Sequence, residues 1–167
     1  HIGSALAVSA DGNTMVVGAP HESSNARGIN GNAADNSLYN SGAVYVFVRR
    51  NGAWAQQAYV KASNAGQSNL FGMSVAVSAD GNTLAVGVYD EGGSSRSVNG
   101  MVDNMRGGSG AVYVFGRAGA TWTQQAYLKA FNDSPTRQSV LALGDQFGRS
   151  VAISGDTVVV GEWAEEK

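Results

Sequence analysis

Gly110-Ala111-Val112-Tyr113-Val114-Phe115 repeats, residue for residue, the earlier stretch Gly42-Ala43-Val44-Tyr45-Val46-Phe47. The copy lies 68 residues downstream, and the same spacing separates Trp54 from Trp122, Gln56-Gln57-Ala58-Tyr59 from Gln124-Gln125-Ala126-Tyr127, and Lys61-Ala62 from Lys129-Ala130. Ala7 to Thr14 returns as Ala76 to Thr83 after 69 residues, and Phe71-Gly72 returns as Phe147-Gly148 after 76. Ordered blocks at slightly unequal spacing describe one unit repeated in tandem, with insertions absorbed by loops. The units cover residues 1–70, 71–146 and 147–167, the last holding only the opening part of a third copy.

Within a unit the hydrophobic pattern is that of strands. Phe71, Met73, Val75 and Val77 alternate with Gly72, Ser74, Ala76 and Ser78, a period of two that predicts a half-buried strand over 71–78. Asp80-Gly81-Asn82 supplies the residues of a tight hairpin. Further strands are predicted over 83–87, 111–115 and 122–130, with a turn at Arg117-Ala118-Gly119-Ala120. Unit one repeats them over 2–9, 14–18, 43–48 and 54–62, and unit three opens them over 147–154 and 157–161. Helical periodicity is nowhere sustained; the nearest candidate, Arg137 to Leu143, is short.

Four antiparallel strands in tandem copies make the blade of a β-propeller, so the fold class is all-β, a partial propeller of two full blades and the first two strands of a third. A closed ring typically needs about four or more blades, so completion is expected from the rest of a longer chain or from further copies. The units exceed the usual blade length of about 40–50 residues. The excess falls between the second and third strands, at Pro20–Ser41 and Tyr89–Ser109. In a meander these loops share one end of the blades with the inter-blade links, and that end is the expected working surface.

Composition narrows the function classes. The chain has 23 glycines, only 14% charged residues, a net charge of −2 and no cysteine. Disulfides and thiolate metal sites are therefore absent. No basic cluster exceeds Arg49-Arg50, so the footprint of a nucleic-acid binder is missing. No apolar run approaches membrane-spanning length. The chain opens on His1 rather than Met and shows no signal peptide, which reads as a mature, trimmed or partial chain.

Phe71-Gly72-Met73-Ser74-Val75-Ala76, followed by Leu84-Ala85-Val86-Gly87, resembles the FG-GAP repeat of integrin α-subunit propellers. Gly18-Ala19-Pro20 supplies the "GAP" of unit one, and Phe147-Gly148-Arg149-Ser150-Val151-Ala152 opens a third copy. The chain is also similar to bacterial extracellular FG-GAP proteins, which share the Gly-Ala-Val-Tyr-Val-Phe and Trp-x-Gln-Gln-Ala-Tyr-x-Lys-Ala strands and the Asn-Gly…Asp-Asn loop. The resemblance implies an integrin-like propeller, an extracellular or cell-surface location, and binding to a protein or carbohydrate. It also implies Ca²⁺ in the strand 1–2 turn, held by an Asp-x-Asp-x-Asp-Gly loop. Here that turn is Ser9-Ala10-Asp11-Gly12-Asn13-Thr14, copied at Ser78 to Thr83, and one carboxylate cannot supply about six to eight oxygens.

The long loops share Glu22…Arg27…Asn30-Gly31…Asp35-Asn36 and Glu91…Arg96…Asn99-Gly100…Asp103-Asn104, with Glu165 at the Glu position of unit three. Glu22, Asp35, Glu91 and Asp103 are thus the candidate Ca²⁺ ligands. The alternative is that Asn and Asp side chains tie down the loop backbone, as recurrence in each unit would suit. Tyr39, Tyr89 and Met101 differ between units and, with Arg27 and Arg96, are the candidate ligand-binding residues. Trp54 and Trp122 start the fourth strand and are read as packing residues, with Gln56, Ala58 and Val60 expected on the face of Trp54. Trp163 has no counterpart.

Catalysis finds little support: a glycosidase-like pair among the 13 carboxylates stays open, but their spacing singles out no two. His1 and His21 are the only histidines, and none of the nucleophile-elbow, phosphate-loop or zinc-helix motifs occurs. The sequon Asn132-Asp133-Ser134 is followed by Pro135 and is not expected to be used. The leading expectation is a non-enzymatic binding and adhesion module working through the strand 2–3 loops. The alternatives are a structural scaffold or self-assembling array, and an accessory propeller of a secreted hydrolase.

Overall fold

The computed structural model describes residues 2–104, 108–131 and 146–163. The expected sequon, the short helical candidate and Glu165 lie outside these residues. The described chain forms ten strands: β1 (Ala5–Val8), β2 (Thr14–Ala19), β3 (Ala43–Arg50), β4 (Ala53–Val60), β5 (Ser74–Val77), β6 (Thr83–Val88), β7 (Ala111–Ala118), β8 (Thr121–Leu128), β9 (Ser150–Ser154) and β10 (Thr157–Gly161). They make two four-stranded antiparallel sheets, β1-β2-β3-β4 and β5-β6-β7-β8, and the hairpin β9–β10. These are two propeller blades and the opening half of a third.

The core lies between blades. One cluster joins Val16, Val44, Val46, Ala58 and Val60 of blade 1 to Leu84, Val86, Tyr113, Phe115 and Trp122 of blade 2. The other joins Ala85, Val112 and Val114 of blade 2 to Val151, Ile153, Val158 and Val160 of blade 3. The sheet of blade 2 therefore buries both faces, one against each neighbour, which is why its strands read as nearly continuous apolar runs. Phe71 is fully buried at the first junction, edge-on to Tyr113 and Phe115.

The sequence pattern placed the start of each first strand too early. Residues 71–73 precede β5, because Leu70 and Gly72 both have positive φ and turn the chain. Phe71 instead makes a parallel bridge to Gly42 of blade 1, and Phe147 makes the same bridge to Gly110 of blade 2. The 3–4 turns are tighter than expected, since β7 runs to Ala118 and pairs it with Thr121. Only Gly119 and Ala120 remain for the turn; in blade 1 Asn51-Gly52 does this work, both with positive φ.

The fourth strands carry a second correction. The register against the third strand shifts between Val46 and Phe47, leaving Gln57 as an extra residue, and Gln125 is its copy in β8. A bulge re-aims the side chains beyond it. Trp122 and Tyr127 consequently share the face toward blade 1, while Ala126 and Leu128 face blade 3. By the same register Ala58 and Val60 do not share the face of Trp54; the unbroken alternation assumed from sequence misses the added residue.

Glycine governs how close the blades come. Gly72 has φ +91°, and a Cβ there would lie 2.5 Å from the Ala43 carbonyl oxygen. A Cβ on Gly18 would meet the Gly72 carbonyl oxygen at 2.0 Å, and one on Gly87 would meet that of Gly148 at 1.9 Å. Gly72→Ala should therefore destabilise the protein by roughly 2 kcal/mol or more, combining positive-φ strain with backbone collision. Gly52→Ala, in open space at φ +81°, should cost about 1 kcal/mol. Urea unfolding of the two variants measures the difference, and equal losses would refute the close-approach argument.

Candidate functional site

The two long loops are built around buried charge. In blade 2 the Glu91 carboxylate has no exposure and accepts hydrogen bonds from the Gly93 amide (2.9 Å), Lys129 Nζ (3.0 Å) and the Tyr127 hydroxyl (3.0 Å). Lys129 Nζ also donates to Ser109 Oγ and the Gly110 carbonyl, both at 2.5 Å. The ammonium thus holds both ends of the loop, Glu91 at its start and Ser109-Gly110 at its close. In blade 1 Lys61 donates to Glu22 (2.7 Å) and Ser41 (2.7 Å) in the same manner. Burial draws the Lys61 ammonium below its usual range, against the pull of Glu22.

The loop interiors are tied by short polar side chains. Asp35 accepts from the Asn25 amide, the Ser37 amide and the Ser37 hydroxyl, and these bonds hold its carboxyl below the usual range. Asp103 accepts from the Ser94 amide and hydroxyl at 2.8 and 2.6 Å. Asn30 and Asn99 adopt positive φ, and their side chains accept from the Tyr59 and Tyr127 amides. Each loop is thereby laid against the outer edge of its own fourth strand.

These partners give the four candidate calcium ligands another employment. Glu22 and Glu91 neutralise buried lysines, while Asp35 and Asp103 close backbone turns. A cation at Glu91 would have to displace the Lys129 ammonium. Among the described residues no three His, Asp or Glu side chains gather around a point where an ion could sit. In the strand 1–2 turns, Asp11 accepts from Ser9 Oγ (2.6 Å), the Asn13 amide (2.9 Å) and Asn13 Nδ2 (3.0 Å), and Asp80 does the same with Ser78 and Asn82. The lone carboxylate serves as the clasp of the hairpin.

A residue that sequence reading missed joins the blades. Asn64, which follows β4, inserts its side chain into blade 2. Its Nδ2 donates to Glu91 Oε1 (2.6 Å) and the Asp103 carbonyl (2.8 Å), its Oδ1 accepts from the Tyr113 hydroxyl, and its carbonyl accepts from Asn104 Nδ2 (2.9 Å). The recurring Lys-Ala-x-Asn at 61–64 and 129–132 was the available signal. A second clasp sits at the opposite end. The bulged Gln57 accepts from Trp122 Nε1 (2.9 Å) and Arg117 (3.1 Å), while the Arg117 guanidinium lies over the Trp122 ring. The packing role read for Trp122 is thus what the structure places there.

The candidate ligand residues divide. Tyr39 is 64% exposed and Met101 72% exposed, and Arg27 and Arg96 are also exposed on the loops. Tyr89 is half-buried beneath the Arg149 guanidinium of blade 3, which also stacks on Trp163 at 4.5 Å. Val98 and Val102 add apolar surface beside Met101. No helix of the described residues is long and apolar enough to cross a membrane.

With the junction geometry established, the family follows. The model of the FG-GAP repeat matches residues 54–115 and 122–167. This chain belongs to the FG-GAP repeat family. No curated protein matches it. The FG dipeptide is the junction pair Phe71-Gly72, and the glycine of GAP is the partner on which the next blade's FG glycine rests.

Two outcomes follow. Removing one member of a wholly buried ion pair leaves its partner unmatched, so Lys129→Met should cost about 3–5 kcal/mol in urea unfolding. Lys61→Met should cost less, because the Glu22 side chain retains 12% exposure and solvation. The Asp11 carboxyl, lowered from 3.8 to about 2 by its bonds to Ser9 and Asn13, should titrate near that value by NMR. Its contribution to stability is then present above pH 3.8 and is lost as pH falls through about 2. Asp11→Asn should flatten that acid limb of the stability profile.

Proposed function

We propose that this FG-GAP segment is a non-enzymatic binding module of a secreted or cell-surface bacterial protein. The long strand 2–3 loops would contact a protein or a carbohydrate on a cell surface or matrix. One observation carries the reading: both loops are fastened internally by buried ion pairs, yet expose aromatic, aliphatic and guanidinium side chains at their surfaces. Loops ordered in advance lose little entropy on association, and Tyr, Met and Arg are residue types enriched at recognition surfaces. The polar ties lie beneath, so the exposed residues can vary without loosening the support.

The residues assigned to contact are Tyr39, Met101, Arg27 and Arg96. Tyr89 is assigned to the blade 2–blade 3 junction instead, given its stacking under Arg149.

The test is a panel of glycans and purified matrix proteins screened against the chain by surface plasmon resonance. For a partner found this way, Tyr39→Ala or Met101→Ala should weaken binding about tenfold, with unchanged urea midpoints. If binding survives Tyr39→Ala, Met101→Ala, Arg27→Ala and Arg96→Ala combined, the loops are not the recognition surface. If nothing on the panel binds while the chain forms defined assemblies, the scaffold reading replaces this one.

A further inference from the structure

The junction of blades 1 and 2 gathers a nucleophile, an acyl group and a proton carrier in one buried cluster. Lys129 Nζ donates to Glu91 Oε2 at 3.0 Å, and Asn64 Nδ2 donates to Glu91 Oε1 at 2.6 Å. An amine and a carboxamide thus sit on the two oxygens of a single carboxylate. Asn64 Oδ1 accepts from the Tyr113 hydroxyl, which polarises the carboxamide toward attack at Cγ. Asn64, Glu91, Lys129, Tyr113 and Tyr127 are all buried. The two tyrosine rings pack 5.1 Å apart, and both hydroxyls are bonded into the cluster.

The remaining contacts of Lys129 orient it. Ser109 Oγ and the Gly110 carbonyl, both at 2.5 Å, accept two of its protons, and Glu91 accepts the third. Transfer of that third proton to Glu91 leaves a neutral amine. Its lone pair then faces the carboxyl group that also carries Asn64, while its two other bonds stay in place. The transfer removes two charges from a buried site, where ions are costly.

We propose that Lys129 and Asn64 condense to an isopeptide bond joining blade 1 to blade 2, with Glu91 as general base and acid and Tyr113 as the oxyanion donor. The lone pair of Lys129 Nζ forms the Nζ–Cγ bond, and the Cγ–Oδ1 π electrons move onto Oδ1, held by the Tyr113 hydroxyl. As the carbonyl re-forms, the Cγ–Nδ2 bond breaks and Glu91 passes the first proton to Nδ2. A second proton leaves Nζ by way of Glu91, so the nitrogen departs as ammonium and Glu91 ends as the carboxylate. No atom is oxidised or reduced, and no co-reactant is consumed. An amide resists a free amine in water, but a fixed neighbour supplies effective molarities of about 10⁵–10⁸ M. Glu22 of blade 1 bonds Lys61 and the Ser24 amide, with no carboxamide among the described residues, so Lys61 keeps its amine.

The test is the intact mass of the whole purified chain, denatured after incubation at neutral pH. The chain is expected to be one ammonia lighter than its sequence requires, with tryptic peptides joined through Asn64 and Lys129 and none through Lys61. Lys129→Arg should keep the full sequence mass. Tyr113→Phe, checked for folding by circular dichroism, should form the link at least about tenfold more slowly. Glu91→Gln, checked in the same way, cannot carry the proton and should form none. A parent chain that keeps its full mass overturns the proposal, as does a link that forms at the parent rate in folded Glu91→Gln or Tyr113→Phe. So does an ammonia loss mapped to Asn30, Asn51 or Asn99, each followed by glycine, where the backbone closes a succinimide instead.

Discussion

The architecture depends on backbone meeting backbone at each blade junction. A glycine ending the second strand of one blade lies against the carbonyl of the glycine that opens the next, with about 2 Å left for any Cβ. Phe71 and Phe147 flank these contacts and bridge to Gly42 and Gly110. This approach sets the separation of the sheets, and the separation sets everything else. The valines of one face can then interdigitate with the aromatics of the next, and Gln57 and Asn64 can reach their receptors. The dipeptide and tripeptide that mark the family are two halves of one joint, far apart in the sequence but adjacent in space.

The polar part of the interface is more discriminating than the apolar part. Valine and alanine would tolerate sliding of one blade on another. Asn64, held by Glu91, Tyr113 and backbone on three sides, would not, and Gln57 pins the opposite end. Two carboxamides at the two ends of a sheet fix both translation and rotation. The buried lysines serve a different purpose: each joins the first and last residues of a long insertion, so that loop length does not loosen the strands it connects.

Much of this was legible in the sequence because the physics is local and periodic. Alternating residues, Asp-Gly-Asn turns and the duplicated Gly-Ala-Val-Tyr-Val-Phe placed the ten strands and the blade order. The strand starts were misjudged because Phe71 and Gly72 fit a period of two while serving a turn; positive φ leaves no trace in hydrophobicity. The bulge at Gln57 was invisible for a related reason, since an added residue does not disturb composition. At the loops, the sequence showed that Glu22, Asp35, Glu91 and Asp103 recur, but not what they face. Lys61 and Lys129 lie almost 40 residues from their partners. Recurrence alone does not distinguish a cation brought by solvent from one supplied by the chain.

The inserted asparagine gives the array a temporal direction. Asn64 belongs to one unit, and the groups that receive it belong to the unit that follows. A ribosome making the chain therefore releases the key before the lock. When Glu91, Tyr113 and Lys129 emerge, every residue of blade 1, Asn64 included, has already been made. Each new blade can thus pack onto residues already made, as a growing crystal adds a layer, and contacts between neighbours become available in order of synthesis. Long arrays of such units can lengthen in evolution by duplication at no cost to this order, because every added unit carries both a template for its successor and a receptor for its predecessor.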